Sequence, residues 1–320
     1  MAKCRRCGRE AGYRVSYAKL WLCGEHFKEY VEERVVETVV RHGMTGGGGR
    51  VVVAVSGGVD SMSLLAITAK RRVEMGVEKI VGVHVNLGIE GYSDLAEAAV
   101  REYCGSLGVE CTVLRLRDIL GVGLPELASR AGRPPCSVCG LVKRYLITAY
   151  AVATGASAVF TGHHLDDAAR YMLKDLYVGD FKSLAGLKPA VREPGLPVKA
   201  KPLITLGKKD IEAYAELAGV PHLEAPCPFK HSTGVEEAAE GFLKALEREH
   251  PGARLILLSS MLKLIEGYIE PVEKETYRRC SVCGMPSRSS VCSFCRLTER
   301  TLGEPMGGRV LRSLSQPVFS

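Results

Sequence analysis

Four stretches of this chain, residues 51–55, 80–85, 109–114 and 158–161, are predominantly apolar. A strand with one wet face alternates apolar and polar side chains, so such runs are predicted to be parallel strands covered on both faces. Between them, residues 62–74, 93–107 and 141–154 place apolar side chains three and four apart, the spacing of a helix with one buried face. This repetition predicts an α/β fold, a doubly wound parallel sheet whose ligand site lies at the carboxyl ends of its strands.

Sections of different character flank that core. Residues 1–43 combine a cysteine-bearing head with an amphipathic stretch at 28–41. The run Gly46-Gly47-Gly48-Gly49 is expected to break any helix and act as a flexible joint. The expected layout is an N-terminal cysteine module with its helix at 1–43 and a catalytic domain at 50–207. A helical extension follows at 208–276, after the proline-rich connection 189–202. A second cysteine module spans 277–300, and 301–320 reads as a polar tail with little core potential.

The 320 residues carry a formal net charge of +7. That balance suits an acidic partner such as RNA, although thiolate-bound zinc would lower it, so charge alone is a weak guide. No apolar run reaches the ~18 residues of a membrane span, and the N-terminus is no signal peptide, so a cytoplasmic location is expected. Asn86 and Gln316 are the only amide side chains in the chain. Depletion of these heat-labile residues reads as a thermophile's signature, with high-GC codon bias as the alternative. The 12 cysteines therefore have to be read with care, because hyperthermophile cytosols tolerate disulfides.

The first strand runs into Ser56-Gly57-Gly58-Val59-Asp60-Ser61, and a helix follows. Glycines there let the backbone approach an anion, and the first N–H groups of the helix favour negative charge. No Gly-Lys-Ser/Thr follows, which separates this loop from the P-loop of NTPases. It resembles instead the loop of the N-type ATP pyrophosphatases, which cleave ATP to AMP and pyrophosphate. A second segment, Thr161-Gly162-His163-His164-Leu165-Asp166-Asp167, follows another predicted strand and is expected at the same sheet edge. Paired carboxylates there suit Mg²⁺, while one of them also suits a helix cap.

Three cysteine constellations stand out. Cys4-x2-Cys7 with Cys23-x2-His26, and Cys280-x2-Cys283 with Cys292-x2-Cys295, each offer four soft ligands in two close pairs, as tetrahedral zinc requires. Closed sites of this kind support small ribbons and leave zinc no open position for chemistry. The third set is Cys136 and Cys139 in Pro134-Pro135-Cys136-Ser137-Val138-Cys139-Gly140, expected to precede a helix, with Cys227 alone between two prolines. Three thiolates suit an iron–sulfur cluster with one open iron. A redox pair with a separate nucleophile, or a third zinc using His222 or His231, fits the same residues. Cys104 and Cys111 have no partner pattern and are expected to be buried.

Taken in order, these motifs resemble the tRNA 2-thiolation enzymes of the TtcA/TtuA group, nearer the TtuA type, over roughly residues 4–296. The resemblance implies adenylation of a nucleobase carbonyl by ATP and Mg²⁺ and its replacement by sulfur, for the TtuA type at uridine 54 of tRNA. It implies a [4Fe-4S] cluster on Cys136, Cys139 and Cys227, and catalytic roles for Asp60, Lys143 and Asp166. It places ATP against Ala54, Val55, Ser56, Gly57, Gly58, Asp60, Ser61, His84, Lys143, Arg144, Gly162 and Asp167. Two zinc ions, a homodimer, and sulfur from a ubiquitin-like thiocarboxylate carrier or from sulfide are implied as well. Val59 stands where many relatives have Lys, His164 where Asn is more frequent, and Ala168 where Glu is frequent. Thiolation at wobble uridine 34 or at cytidine 32 is the same-chemistry alternative. Amide-forming pyrophosphatases need no cysteine triad, and a non-catalytic zinc-ribbon RNA-binding protein needs no intact Asp60, Lys143 and Asp166.

Overall fold

A computed structural model of the chain describes residues 2–230, 232–269 and 278–315. His231 and Gln316 lie outside them. The chain opens with a hairpin, β1 (Tyr13–Val15) and β2 (Leu20–Leu22), and helix α1 (Gly24–Arg41). Next come β3 (Arg50–Ala54), α2 (Val59–Arg71), β4 (Lys79–Asn86), α3 (Ser93–Ser106) and β5 (Glu110–Arg115). Helices α4 (Leu116–Leu120), α5 (Leu124–Ala131) and α6 (Pro135–Ala153) lead to β6 (Ala158–Phe160), α7 (Leu165–Val178) and α8 (Phe181–Ala185). Two short strands, β7 (Ala190–Val191) and β8 (Val198–Ala200), precede α9 (Lys208–Ala218), α10 (Gly234–Glu249) and α11 (Ala253–Leu264), which ends in a π turn at Ile265–Ile269. The C-terminal module holds β9 (Arg278–Arg279), β10 (Pro286–Ser287), α12 (Ser293–Leu302) and α13 (Gly307–Ser315).

The central sheet has six strands in the order β5-β4-β3-β6-β8-β7. All neighbours are parallel except β7, which pairs antiparallel to β8 at the edge. From β3 the chain winds outward through β4 to β5, then returns to place β6 on the other side of β3. The switch point therefore falls between β3 and β6, where a doubly wound sheet opens its ligand crevice. The expected strands are all present, shifted by about one residue.

Side chains of β3 alternate between two cores. Val51, Val53 and Val55 join α1, α2 and α9 on one face, and Val52 joins α5, α6, α12 and α13 on the other. This explains why the strand reads as continuously apolar. The N-terminal module shares the first core, with Cys4 and Cys23 in the same cluster as Val51, and the C-terminal module shares the second.

Several expectations are corrected. The four-glycine run is a tight turn rather than a loose joint. All four glycines have positive φ, a Cβ on Gly46 would lie 2.8 Å from the carbonyl oxygen of Ser157, and Gly49 O accepts from the backbone N–H groups of Glu78 (3.1 Å) and Lys79 (3.2 Å). The proline-rich connection contains β7 and β8, too short to show periodicity. The cysteine motif does not precede a helix but forms its first turn, with Pro134 as N-cap and Pro135 at the first helical position. Residues 301–315 are no polar tail, because Met306 and Val310 are buried and α13 packs along α6. By length and composition α6 is long and apolar enough to cross a membrane. Its apolar face, Val138, Val142, Leu146 and Ala149, is instead fully buried against the sheet and its neighbouring helices.

Candidate active site

The phosphate loop is held open by its own side chains. Ser61 Oγ accepts from the backbone N–H of Ser56 (3.0 Å), donates to Gly58 O (3.0 Å) and lies 3.1 Å from Ser56 Oγ. Gly57 takes φ +87°, a conformation that side-chain-bearing residues rarely adopt, and a Cβ there would press on Ala96 of α3 at 3.3 Å. The loop leads directly into the first turn of α2 at Val59, whose helix N-terminus favours negative charge.

The second loop comes very close to the first. A Cβ on Gly162 would sit 3.1 Å from the backbone nitrogen of Ser61 and 3.2 Å from the carbonyl carbon of Asp60. This is a contact with backbone, which cannot swing aside. His164 caps α7 by accepting from the N–H of Asp167 (3.4 Å), and lies 4.0, 3.7 and 3.4 Å from the carboxylates of Asp60, Asp166 and Asp167. Burial holds the His164 pKa below its usual value despite these acids.

Each of the three carboxylates meets a cation or N–H of the protein. Asp60 receives Lys208 Nζ at 2.7 and 2.9 Å. Asp166 pairs with Arg254 and accepts the backbone N–H of Lys208 at 2.7 Å. Asp167 pairs with Arg170 at 2.6 Å. Lys208, Arg254 and Arg170 are absent from the sequence-based site. Lys208 and Arg254 lie far along the chain, and no local motif marks them.

His84 lies at the carboxyl end of β4 with 3% of its surface exposed. Its Nδ1 is 2.9 Å from Val55 O. A carbonyl can only accept, so Nδ1 carries the proton and Nε2 is a bare lone pair, buried and without a protein partner. Burial depresses its pKa, and the charge of Lys143 adds to this. The neutral ring therefore ties the end of β4 to the residue before the phosphate loop.

Cys136 and Cys139 stand one helical turn apart at the start of α6. Cys136 Sγ donates to Phe229 O at 2.8 Å, which brings the Cys227 segment onto the helix. Burial pushes the Cys139 thiol up, Lys143 pulls it down, and the neighbouring Cys227 and Cys136 raise it. Thus the three cysteines and Lys143 share one neighbourhood. They do not close on a single point, as three thiolates bound to different irons of one cluster would not. Cys104 is fully buried and Cys111 partly so.

The other two sets do converge. Among the described residues, the only groups of three or more such ligand atoms lying within 4.8 Å of one another are Cys4, Cys7, Cys23, His26 and Cys280, Cys283, Cys292, Cys295. In the first, backbone N–H groups of Cys23, Arg6 and Cys7 outweigh burial and bring the Cys4 thiol down to about 5. In the second, hydrogen bonding from Cys292 brings Cys283 down to about 5 against its burial. Both donor sets fit tetrahedral zinc. The Asp166 and Asp167 carboxylates form no such group, and each faces an arginine instead.

The loop at a topological switch point, with its facing Gly162 segment, defines a nucleotide-binding domain of the PP-loop class. A family model of the PP-loop domain matches residues 28–228, and one of the N-terminal LIM domain of the 2-thiouridine synthetase TtuA matches residues 3–28. The chain is 35% identical to a tRNA-5-methyluridine(54) 2-sulfurtransferase of Pyrococcus horikoshii over 92% of its length and 93% of that protein's. It is 34% identical to the enzyme of the same name from Thermus thermophilus over 92% of its length and 90% of that protein's. The U34-tRNA thiolase NcsA from Methanococcus maripaludis, solved with its [4Fe-4S] cluster, shares the fold with a TM-score of 0.79 at 24% identity, covering 95% of this chain and 96% of that one. This chain belongs to the PP-loop family of TtuA-type tRNA-thiolating enzymes.

Proposed function

We propose that this chain is an ATP-dependent tRNA sulfurtransferase that converts the uridine at position 54 to 2-thiouridine. One bridge carries the proposal. The backbone N–H of Leu223 donates to Gly57 O of the phosphate loop (2.9 Å), and a few residues on, Phe229 O accepts from Cys136 (2.8 Å). A single short segment, with Cys227 inside it, thus spans from where ATP would react to where sulfur would be held. An amide-forming enzyme needs no cysteine triad at the end of such a bridge.

The chemistry follows from the carbonyl. A pyrimidine C2 oxygen is a poor leaving group. In the first step that oxygen attacks the α-phosphorus of ATP and pyrophosphate departs. In the second a sulfur nucleophile adds at C2, and the oxygen leaves as part of AMP. Gly57, Gly58, Ser56 and Ser61 cradle the pyrophosphate, and Ala54 and Val55 end the strand beneath the nucleotide. Lys143 and Arg144 offset the charge that develops during adenylation, with Lys208 close by to help as it exchanges Asp60 for phosphate. His84 and Gly162 border the nucleotide. Asp166 and Asp167 are the carboxylates that would take Mg²⁺, exchanging Arg254 and Arg170 for it, and the ion would neutralise phosphate charge.

Cys136, Cys139 and Cys227 would hold a [4Fe-4S] cluster, which when bound supplies an iron with an open position for sulfur. The two zinc centres are structural. The uridine has to be splayed from its loop to reach the site. Sulfur would come from a ubiquitin-like thiocarboxylate carrier or from sulfide, the chain would work as a homodimer, and its location would be cytoplasmic. Position 54 is supported by the names of the relatives above and by the TtuA-type N-terminal module, which favours it over position 34.

The test is mass spectrometry of nucleosides from unmodified tRNA incubated with anaerobically prepared protein, ATP, Mg²⁺ and a sulfur donor. Sulfur at uridine 54 is expected. Sulfur confined to position 34 would overturn the position, and AMP release without any thionucleoside would overturn the function.

A further inference from the structure

We propose that the C-terminal four-cysteine centre positions the catalytic helix α6, acting through Tyr145 and Gly307. The inference rests on the assignment of Cys136, Cys139 and Lys143 to the active site. It adds a task for the second ribbon beyond holding its own fold.

Tyr145 lies two residues beyond Lys143 on α6 and roughly 13 Å along the helix axis from Cys136. Its ring lies parallel to that of Phe294, with centroids 3.9 Å apart and planes 1° off parallel. Phe294 sits between Cys292 and Cys295 and is buried. The Tyr145 hydroxyl donates to Gly307 O at 3.2 Å. A residue of the catalytic helix is thus clamped between a metal-binding knuckle and the first turn of α13.

Gly307 closes the clamp. A Cβ at this position would fall 2.5 Å from Cys295 Sγ, 2.7 Å from Tyr145 Oη and 2.9 Å from Cys283 Cβ. The backbone is not in the left-handed region here, so the need for glycine is steric. No side chain fits without moving the cysteine ligands, the tyrosine, or both. From Gly307, α13 runs along α6 with Met306 and Val310 buried, and the N–H of Met306 donates to Thr298 Oγ1 of α12 at 2.9 Å.

Among the described residues, the N-terminal centre has no such link. Its buried cysteines, Cys4 and Cys23, belong to the core on the opposite face of the sheet, with α1, α2 and α9, while Cys7 is exposed; Cys280, Cys283, Cys292 and Cys295 share a core with α6. Two four-ligand centres of similar chemistry therefore have different mechanical reach. The consequence for catalysis is direct, because Cys136 and Cys139 ride on the first turn of α6. A small roll of that helix turns both thiols away from the Cys227 segment.

The experiment uses full-length protein and reads amide exchange of residues 141–149 by mass spectrometry, together with the electron paramagnetic resonance spectrum of the reduced cluster. Gly307→Ala and Tyr145→Leu are expected to speed exchange in α6 at least tenfold and to shift the cluster spectrum. Tyr145→Phe, which keeps the ring stack and loses only the hydroxyl, is expected to recover most of both readouts. Cys7→Ser, which opens the N-terminal centre, is expected to change neither. The inference is overturned if Gly307→Ala or Tyr145→Leu leaves α6 exchange and the spectrum as in the parent protein. It is also overturned if Cys7→Ser disturbs them equally, or if Tyr145→Phe is as damaging as Tyr145→Leu. Should Gly307→Ala not fold, the two tyrosine variants decide the matter. Amide exchange reads the clamp whether or not tRNA is the substrate, so failure here and failure of the proposed function are distinguishable.

Discussion

The ammonium group of Lys208 lies 2.7 and 2.9 Å from the two carboxylate oxygens of Asp60, joining the start of α9 to the phosphate loop. With Val59 in the loop, the loop has no cation of its own, and Lys208 stands in the place where one is useful. Lys208→Met is expected to lower AMP release by roughly 10–100-fold and to raise the KM for ATP, with folding intact. Asp60→Ala is expected to abolish AMP release while sparing tRNA binding. Steady-state kinetics with a filter-binding assay check both; unchanged turnover in Asp60→Ala would remove the loop's assigned role, and unchanged turnover in Lys208→Met would remove that of Lys208.

Gly162 gives a sharper test of geometry. Its missing Cβ leaves room for the backbone of Asp60 and Ser61 at 3.2 and 3.1 Å. Gly162→Ala has to part the two loops by a few tenths of an ångström. We expect a loss of kcat/KM for ATP of about tenfold or more, with only about 1 kcal/mol off the unfolding free energy. Denaturant titration alongside kinetics separates the two effects.

The cysteine sets are expected to differ in what they hold. Elemental analysis is expected to find about two zinc ions per chain and about one in Cys280→Ser. Anaerobic reconstitution with iron and sulfide is expected to give the broad visible absorbance of a cluster, lost in Cys136→Ala and in Cys227→Ala while both zinc ions remain. Retention of the band in Cys136→Ala would assign the iron elsewhere.

Acid sensitivity should report on Glu97. Burial works against its charge, but Arg115, Asn86 and Arg101 hold it down at about 2, where an ordinary glutamate has 4.5. The unfolded chain therefore binds the proton first as pH falls. The stabilisation is complete above about 4.5 and is lost between there and about 2. His84 and His164, both depressed by burial, add loss of stability as pH drops through the ordinary histidine range. Glu97→Gln is expected to cost about 1–2 kcal/mol at neutral pH, allowing for solvent screening, and to flatten stability below pH 4.5. Thermal unfolding across pH checks this.

What was legible in the sequence was local. The β3–loop–α2 unit, the Gly162 segment and the close Cys/His pairs of both four-ligand groups are each set by local spacing, and each folds as its spacing implies. What was missed depends on tertiary partners. Lys208 and Arg254 meet Asp60 and Asp166 only once α9 and α11 have packed beside the sheet. Met306 and Val310 look like isolated apolar residues in a polar stretch until α6 supplies the surface that covers them. The four glycines at 46–49 promise looseness by composition, yet Ser157 and Glu78 close around them.

The central claim is that the uridine C2 oxygen is adenylated and leaves with AMP. It is tested most directly with tRNA carrying ¹⁸O at C2 of uridine 54, ATP and a sulfur donor, by mass analysis of the AMP released. The account predicts one ¹⁸O in AMP for each 2-thiouridine formed. AMP free of the label, with thionucleoside still accumulating, would contradict it.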